Sequence, residues 1–346
     1  MSAVTNALKK VVEFKDLSAP EMEDVMGEIM EGRATDAQIG ALLTGLRMKG
    51  EVVDEILGAA KVMRSKAHKI SPRRKEGELL LDIVGTGGDQ AGTFNVSTTT
   101  AFVVAGAGLK VAKHGNRSVS SKSGSADLLE ELGVKLDVEP AVVERCIEEI
   151  GLGFLFAPML HPAMKNVIGP RRQMGIRTIF NMLGPLTNPA SAEIELMGIY
   201  SRDLCKTMAQ VLGELGAKKA WVVHGHGGMD ELSISGPTHV AQWDGESVEV
   251  FDVTPGDFGL NEAPLSEIAG GDPQENARIT RQILAGNPGP KRDMVVMNAA
   301  AAIFLGGKAK DLKEAAQVAQ QSIDSGSAQR VLERLVELTS SAGEGA

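Results

Sequence analysis

The chain has 346 residues, 43% of them apolar and 23% charged, and a net charge of −9; this is the balance of an ordinary globular protein with room for two domains. Such a charge argues against general affinity for nucleic acid or anionic membranes, so any phosphate site must be a local cationic pocket. No run of about 18 uncharged apolar residues suggests a membrane span. The N-terminal segment lacks the apolar core of a secretory signal. The cysteines, Cys146 and Cys205, fall in helix-like segments, and together these features predict a cytoplasmic protein with inert core thiols.

The first seventy or so residues read as helices. Ser18-Ala19-Pro20-Glu21 and Thr35-Asp36-Ala37-Gln38 have capping-box spacing, and Val25, Ile29, Ile39, Leu42, Leu43 and Leu46 recur at helical intervals. Gly50 suits a C-cap, and Val52 to Met63 gives a further amphipathic helix. Ser71 to Glu78 is a polar link in which Pro72 disfavours a continuing helix. Leu79 to Val84, partly β-branched and ended by glycines, reads as a buried strand. Gly85, Gly87 and Gly88 then let the backbone take φ > 0 and approach a ligand, with Asp89 hung on the turn. Asn95-Val96-Ser97-Thr98, ahead of the apolar Thr99 to Val104, reads as a helix N-terminus with free N–H groups for an anion.

A second strand, Lys110 to Ala112, runs into Lys113-His114-Gly115-Asn116-Arg117 and then Ser118, Ser120, Ser121, Ser123 and Ser125. Two strand ends thus present glycines, hydroxyls and cations together, a phosphate cradle at the carboxyl edge of a sheet. The glycine turn alone reads equally well as a structural turn. No lysine-serine or lysine-threonine pair makes it a Walker loop, and Val111 stands where a dinucleotide fingerprint needs its third glycine. The conjunction is what suits a ligand with more than one phosphate.

Ala126 to Leu132 and Pro140 to Ile150 read as helices alternating with strand-like pieces, and Phe154 to Phe156 as a strand. From Ala163 to Asn188 the pattern changes to helices and turns, which are expected to pack back onto the N-terminal helices. Ile194 to Ile199 and Ala220 to Val223 resume as strands around a helix from Asp203 to Leu215. His239 to Val253 reads as a hairpin turning at Asp244-Gly245. Glu275 to Thr339 reads as helical, broken at Gly286 to Gly289 and at Gly306-Gly307, and Ser340 to Ala346 as a frayed tail.

Three further groups carry candidate chemistry. Asp230-Glu231 follow a strand and glycines; they are either solvated loop acids or, with Asp89 and Ser97, an all-oxygen set for Mg²⁺. Zinc on His224 and His226 lacks a third soft ligand. Arg171-Arg172 is either a surface pair or a grip for a carboxylate. His114 and His161 are either satisfied core histidines or site residues. No nucleophile–base pair is evident, which points away from covalent catalysis.

With GTGGD (Gly85 to Asp89), FNVST (Phe94 to Thr98), KHGNRSVSS (Lys113 to Ser121), HPAMK (His161 to Lys165), RTIFNMLGPLTNP (Arg177 to Pro189) and HGHGGMDE (His224 to Glu231) in this order, the sequence resembles the anthranilate phosphoribosyltransferases. Glu275 to Ala277 and Asn298 to Ala302 add to the likeness, which covers nearly the whole chain. The resemblance implies an α/β fold of the nucleoside phosphorylase/phosphoribosyltransferase type, with a small helical domain (1–74 and 163–190) and a larger domain around a mostly parallel sheet (75–162 and 191–346). It implies a homodimer, an active site at the hinge, Mg²⁺, and association with other tryptophan-pathway enzymes as a further expectation. The implied reaction joins 5-phosphoribosyl-1-pyrophosphate (PRPP) to anthranilate, the second step from chorismate to tryptophan.

Carried over by motif, Gly85, Gly88, Asp89, Thr93, Asn95, Val96, Ser97, Thr98, Lys113, His114, Gly115, Asn116, Arg117, Ser118, Val119, Ser120, Ser121 and Ser125 would line the PRPP site. Ser97, Asp230 and Glu231 would hold metal, and Gly85, Asn116 and Arg171 would meet anthranilate. Pro170 and Arg117 depart from the family's commoner residues; counting back from Arg177-Thr178 favours Arg171 over Arg172 as the anthranilate ligand. The alternatives are a pyrimidine-nucleoside phosphorylase-like enzyme and a non-catalytic relative that binds nucleic acid.

Overall fold

The computed structural model describes residues 2–89, 91–118 and 122–341. The chain opens with α1 (Ala3–Val11), α2 (Ala19–Met30), α3 (Asp36–Lys49) and α4 (Val53–Lys66). Both expected capping boxes form. The Ser18 N–H donates to Glu21 Oε2 and the Thr35 N–H to Gln38 Oε1, each at 3.0 Å, so α2 and α3 start where that spacing places them.

The α/β part begins with β1 (Leu80–Gly85), α5 (Val96–Gly106), β2 (Lys110–Gly115), α6 (Ser125–Glu131), α7 (Pro140–Ile150) and β3 (Leu152–Phe156). The short α8 (Ala157–Leu160) leads into α9 (Lys165–Met174) and α10 (Phe180–Leu186). Then come β4 (Ile194–Gly198), α11 (Cys205–Glu214), β5 (Lys219–Gly225) and the hairpin of β6 (Thr238–Trp243) and β7 (Val248–Val253). The chain closes with α12 (Pro273–Leu284), α13 (Pro290–Leu305), α14 (Leu312–Asp324) and α15 (Ser327–Ser341).

Three local expectations are corrected. Residues 133–138, between α6 and α7, form no strand. A further break separates α14 from α15, where Gly326 takes φ 72°. The last helix runs on through Ser340 and Ser341 because Leu338 and Thr339 are buried against the α/β core, which outweighs the poor helix propensity of the serines.

The described strands form one sheet in the order β3-β2-β1-β4-β5-β6-β7, with β1 to β5 parallel and the last two antiparallel. After β1 the chain winds outward to β2 and β3, then returns to lay β4 on the other side of β1. The carboxyl ends of β1 and β4 therefore flank a topological switch point, where open sheets hold their ligands. Alternate residues serve opposite faces. Ile194, Leu196, Trp221 and Val223 enter a core with α5 and α13, whereas Met197, Ala220 and Val222 enter one that continues into the α1–α4 bundle. Val167, Phe180 and Leu183 bring α9 and α10 into that second core. Each such buried side chain contributes roughly 1.5–3 kcal/mol. The piece that interrupts the α/β pattern thus packs on the bundle and runs past the switch point.

No described helix is long and apolar enough to cross a membrane. Cys146 in α7 and Cys205 in α11 are buried, and burial pushes their thiols up to about 11 and about 12.

Candidate active site

β1 delivers the glycine turn to the switch point. Gly87 and Gly88 take φ 69° and 73°, as the turn requires. Gly85 does not, and the expectation that it too uses positive φ is corrected. It is glycine because a Cβ there would collide with the Asp230 carboxylate, and Gly198 at the end of β4 because one would overlap the Asp230 carbonyl. The loop after β5 therefore lies down across the ends of both strands. Asp230 Oδ2 accepts the Gly87 N–H at 2.6 Å, and Asp89 Oδ2 accepts the Asp230 N–H at 3.4 Å. Gly198→Ala is expected to lose about 3 kcal/mol or more of stability, because the clash is with backbone that cannot step aside. Thermal melting checks this; a midpoint within about 2 °C of the parent would mean the loop has room.

Glu231 completes the acidic corner. Its Oε1 accepts the Ser97 N–H at 3.2 Å from the first turn of α5, while Oε2 is buried and has no hydrogen-bond partner among the described residues. Burial and then Asp89 raise Asp230 to about 7; burial and then Asp230 raise Glu231 well above the carboxylate range. Crowded acids with an orphaned oxygen call for positive charge. The donors are hard oxygens, including the Ser97 hydroxyl, and they fit Mg²⁺, which keeps positions for water and phosphate. Among the described residues no three acid, histidine or cysteine side chains close a complete metal cage, at His224 and His226 or elsewhere.

Lys113 is buried under the turn, where its Nζ donates to the Ile83 carbonyl at 2.8 Å and approaches Ser97 Oγ at 3.5 Å. Burial lowers its pKa, while Asp82, Glu231 and other acids oppose that shift. Asn95 joins the corner to its surroundings: Oδ1 accepts from Ser123 Oγ at 3.1 Å and from Asn276 Nδ2 at 2.9 Å. The Ser125 hydroxyl accepts the Asn116 N–H and donates to the Asn116 carbonyl, both at 3.1 Å, which fixes the bend after β2. Gly115 is packed against Ser125 and Phe154 with no space for a side chain. Thr93 bridges to Ala269.

Other expected cradle residues have neighbours of their own. The Arg117 guanidinium bonds Glu130 at 2.5 and 2.7 Å and lies 5.6 Å from the Phe156 ring centre, on the α6 side. The Ser118 N–H donates to Asp127 Oδ2 at 3.0 Å. His114 Nδ1 donates to the Gly184 carbonyl at 3.1 Å, and its ring lies 5.1 Å from that of His161. Burial lowers these histidines to about 3 and about 4, so both are neutral near pH 7. Val96 and Thr98 are buried in α5. Val119, Ser120 and Ser121 lie outside the described residues.

Arg171, on α9, is half-buried with its guanidinium 5.2 Å from the Phe180 ring centre. Among the described residues no acid pairs with it, and burial alone lowers its pKa. A desolvated, unpaired guanidinium is costly unless an anion arrives. Arg172 is exposed. Three contributors had no assigned role in the sequence reading: Asn276, Asn298 and Arg177. Asn298 on α13 bonds both the N–H and the carbonyl of Leu232 at 3.0 Å, clamping the loop that carries Asp230 and Glu231. Its signal was an amide inside an apolar helix, which needs buried polar partners.

The family model described as "Glycosyl transferase family, a/b domain" matches residues 77–329, and "Glycosyl transferase family, helical bundle domain" matches 5–67. The anthranilate phosphoribosyltransferase of Geobacter sp. (strain M21) is 53% identical over 98% of this chain and 99% of its own length. That of Aquifex aeolicus is 51% identical over the same shares. Among solved structures, the anthranilate phosphoribosyltransferase of Thermus thermophilus superposes with a TM-score of 0.91 at 43% identity, covering 98% of this chain and 99% of that one. The Saccharomyces cerevisiae enzyme in complex with PRPP and Mg gives 0.89 at 33% identity, with 98% of each chain covered.

Proposed function

The chain belongs to the anthranilate phosphoribosyltransferase family, and from that premise we propose how its residues divide the work. The enzyme transfers the 5-phosphoribosyl group of PRPP to the amine of anthranilate, in tryptophan biosynthesis and with Mg²⁺. The C1–oxygen bond to pyrophosphate breaks, positive charge builds on the ribose ring, and the aryl amine attacks C1 from the opposite face and then sheds its proton. An aryl amine is nucleophilic without a strong base, so positioning and charge neutralisation carry the catalysis.

In our reading the turn from Gly85 to Asp89, with Asn95, Ser97 and Lys113, holds the diphosphate side of PRPP. Asp230, Glu231 and Ser97 hold the Mg²⁺, which when bound neutralises the departing pyrophosphate. Asn116 and Arg171 meet anthranilate, and Arg171 takes its carboxylate. The observation that carries this division is the unpaired Arg171 guanidinium, on a segment that also touches the glycine turn through Arg177. A pyrimidine-nucleoside phosphorylase-like enzyme would instead place a single phosphate and a nucleobase in this site, and a nucleic-acid binder would have no use for the acidic corner.

The decisive assay follows anthranilate fluorescence with and without PRPP and Mg²⁺, beside a parallel incubation of a pyrimidine nucleoside with phosphate. Loss of fluorescence is expected only when both PRPP and Mg²⁺ are present. Phosphorolysis without PRPP-dependent loss would overturn the assignment.

We further read residues 1–74 with 163–190 as one unit and 75–162 with 191–346 as the other, hinged about the site, in a cytoplasmic homodimer. Val11 lies against Gly45, so the exposed Val12, Phe14 and Met48 share one end of the bundle and offer an apolar contact for a second copy. Phe14→Glu with Met48→Glu is expected to turn a dimer into a monomer in sedimentation. A parent that is itself monomeric would end that reading.

A further inference from the structure

Arg177 follows α9 and stands six residues beyond Arg171 on the same segment. The Thr178 N–H donates to Asn181 Oδ1 at 3.0 Å, which fixes the backbone beside Arg177 at the entry to α10. From there the side chain crosses to the α/β part. Its Nη2 donates to the Gly88 carbonyl, and its Cζ lies 4.4 Å from the ring centre of Tyr200, the one tyrosine in the chain. The Tyr200 N–H donates to Thr86 Oγ1 at 3.2 Å, so ring and glycine turn form one corner at the ends of β1 and β4. Among the described residues Arg177 has no acidic partner. The side chain is spent on one carbonyl and one ring, both across the switch point from its own backbone.

We propose that Arg177 is a positioning residue that couples the two substrate sites, tying the segment that carries Arg171 to the turn that receives the diphosphate. The proposal rests on the substrate assignment above. Its physical basis is the peptide unit between Gly88 and Asp89. A trans peptide is planar, so holding the Gly88 carbonyl fixes the Asp89 N–H in the opposite direction, away from Arg177. Gly88 at φ 73° is a residue that changes conformation cheaply, and without a hold on its carbonyl that N–H would wander. An anion that settles the turn also settles Arg177 and the segment behind it. A carboxylate on Arg171 that settles the segment returns the favour, because such coupling is reciprocal.

The test uses the Mg²⁺-loaded enzyme and a dead-end pair that cannot react: anthranilate, followed by its fluorescence, with and without inorganic pyrophosphate. In the parent, pyrophosphate is expected to tighten anthranilate about tenfold, within the usual range of coupled sites. In Arg177→Ala that ratio falls to about one, whatever happens to the separate affinities. A merely structural residue would weaken both ligands and leave the ratio alone. Arg177→Lys keeps the charge but not the planar fork and should give an intermediate ratio. Tyr200→Leu should lower the ratio and Tyr200→Phe keep it, because the ring face is what Arg177 meets; this pair decides the matter if Arg177→Ala does not fold. A parent ratio of one, or variants that keep the parent ratio, overturns the proposal. Turnover of PRPP with anthranilate by the same parent preparation separates this outcome from failure of the functional assignment.

Discussion

Asp230→Asn combined with Glu231→Gln is expected to lower Mg²⁺-dependent turnover by about 10³-fold or more, the scale seen when electrostatic stabilisation of a transition state is removed. The same variant should melt no lower than the parent in metal-free buffer at pH 7 to 8. Burial and then repulsion from Asp89 hold Asp230 at about 7, and burial and then repulsion from Asp230 hold Glu231 well above its ordinary value. The folded protein therefore retains protons that the unfolded chain has released. For an acid shifted upward, stability is greatest below the ordinary carboxylate pKa and declines as pH climbs through the folded value. Amides remove that decline, so the double variant loses activity without losing stability.

The same protons compete with the metal. The Mg²⁺ concentration giving half-maximal turnover should fall as pH rises from 6 to 8, by up to about tenfold per unit for each proton displaced. Turnover titrated with Mg²⁺ at several pH values, beside melting curves of both proteins, measures all of this. Near-parent activity, or an unchanged response to Mg²⁺, would remove the metal from this corner.

Arg171→Ala should raise the KM for anthranilate about 10²-fold, the effect of truncating one partner of a desolvated, hydrogen-bonded charge pair, about 2–5 kcal/mol. The KM for PRPP should stay within about threefold, because among the described residues the Arg171 guanidinium lies against Phe180 and makes no hydrogen bond to the glycine turn. Arg171→Lys should recover only part of the loss, since an ammonium cannot grip both carboxylate oxygens in one plane. Arg172→Ala, at an exposed position, should change little. Equal rises in both Michaelis constants would make Arg171 a structural residue. A larger effect at Arg172 would move the ligand one place along the helix.

Much of the acidic and glycine-rich corner was legible in the chain. Gly87 and Gly88 announce left-handed backbone, and Asn95 to Thr98 announce a helix start, because both depend on a few neighbouring residues. Arg117 shows where that legibility stops. Beside KHGN it reads as a phosphate cation, yet Glu130 on α6 captures it, and nothing in the local spacing weighs Glu130 against a phosphate. Gly85 and Gly198 were visible as glycines, but their shared reason, the Asp230 loop folded over both strand ends, belongs to a distant part of the chain.

Helix starts, strand ends and the hairpin at Asp244 follow from short-range periodicity and backbone preference, so they could be read before any fold was known, whereas the parallel sheet came only from the family resemblance. Partnership between charges could not. Which cation stays unpaired, which acid is crowded upward, and which arginine spans the switch point are set by contacts among residues as far apart as Gly88 and Arg177 or Ser97 and Glu231. Electrostatic energy depends on separation and burial in space, and neither is encoded by position along the chain.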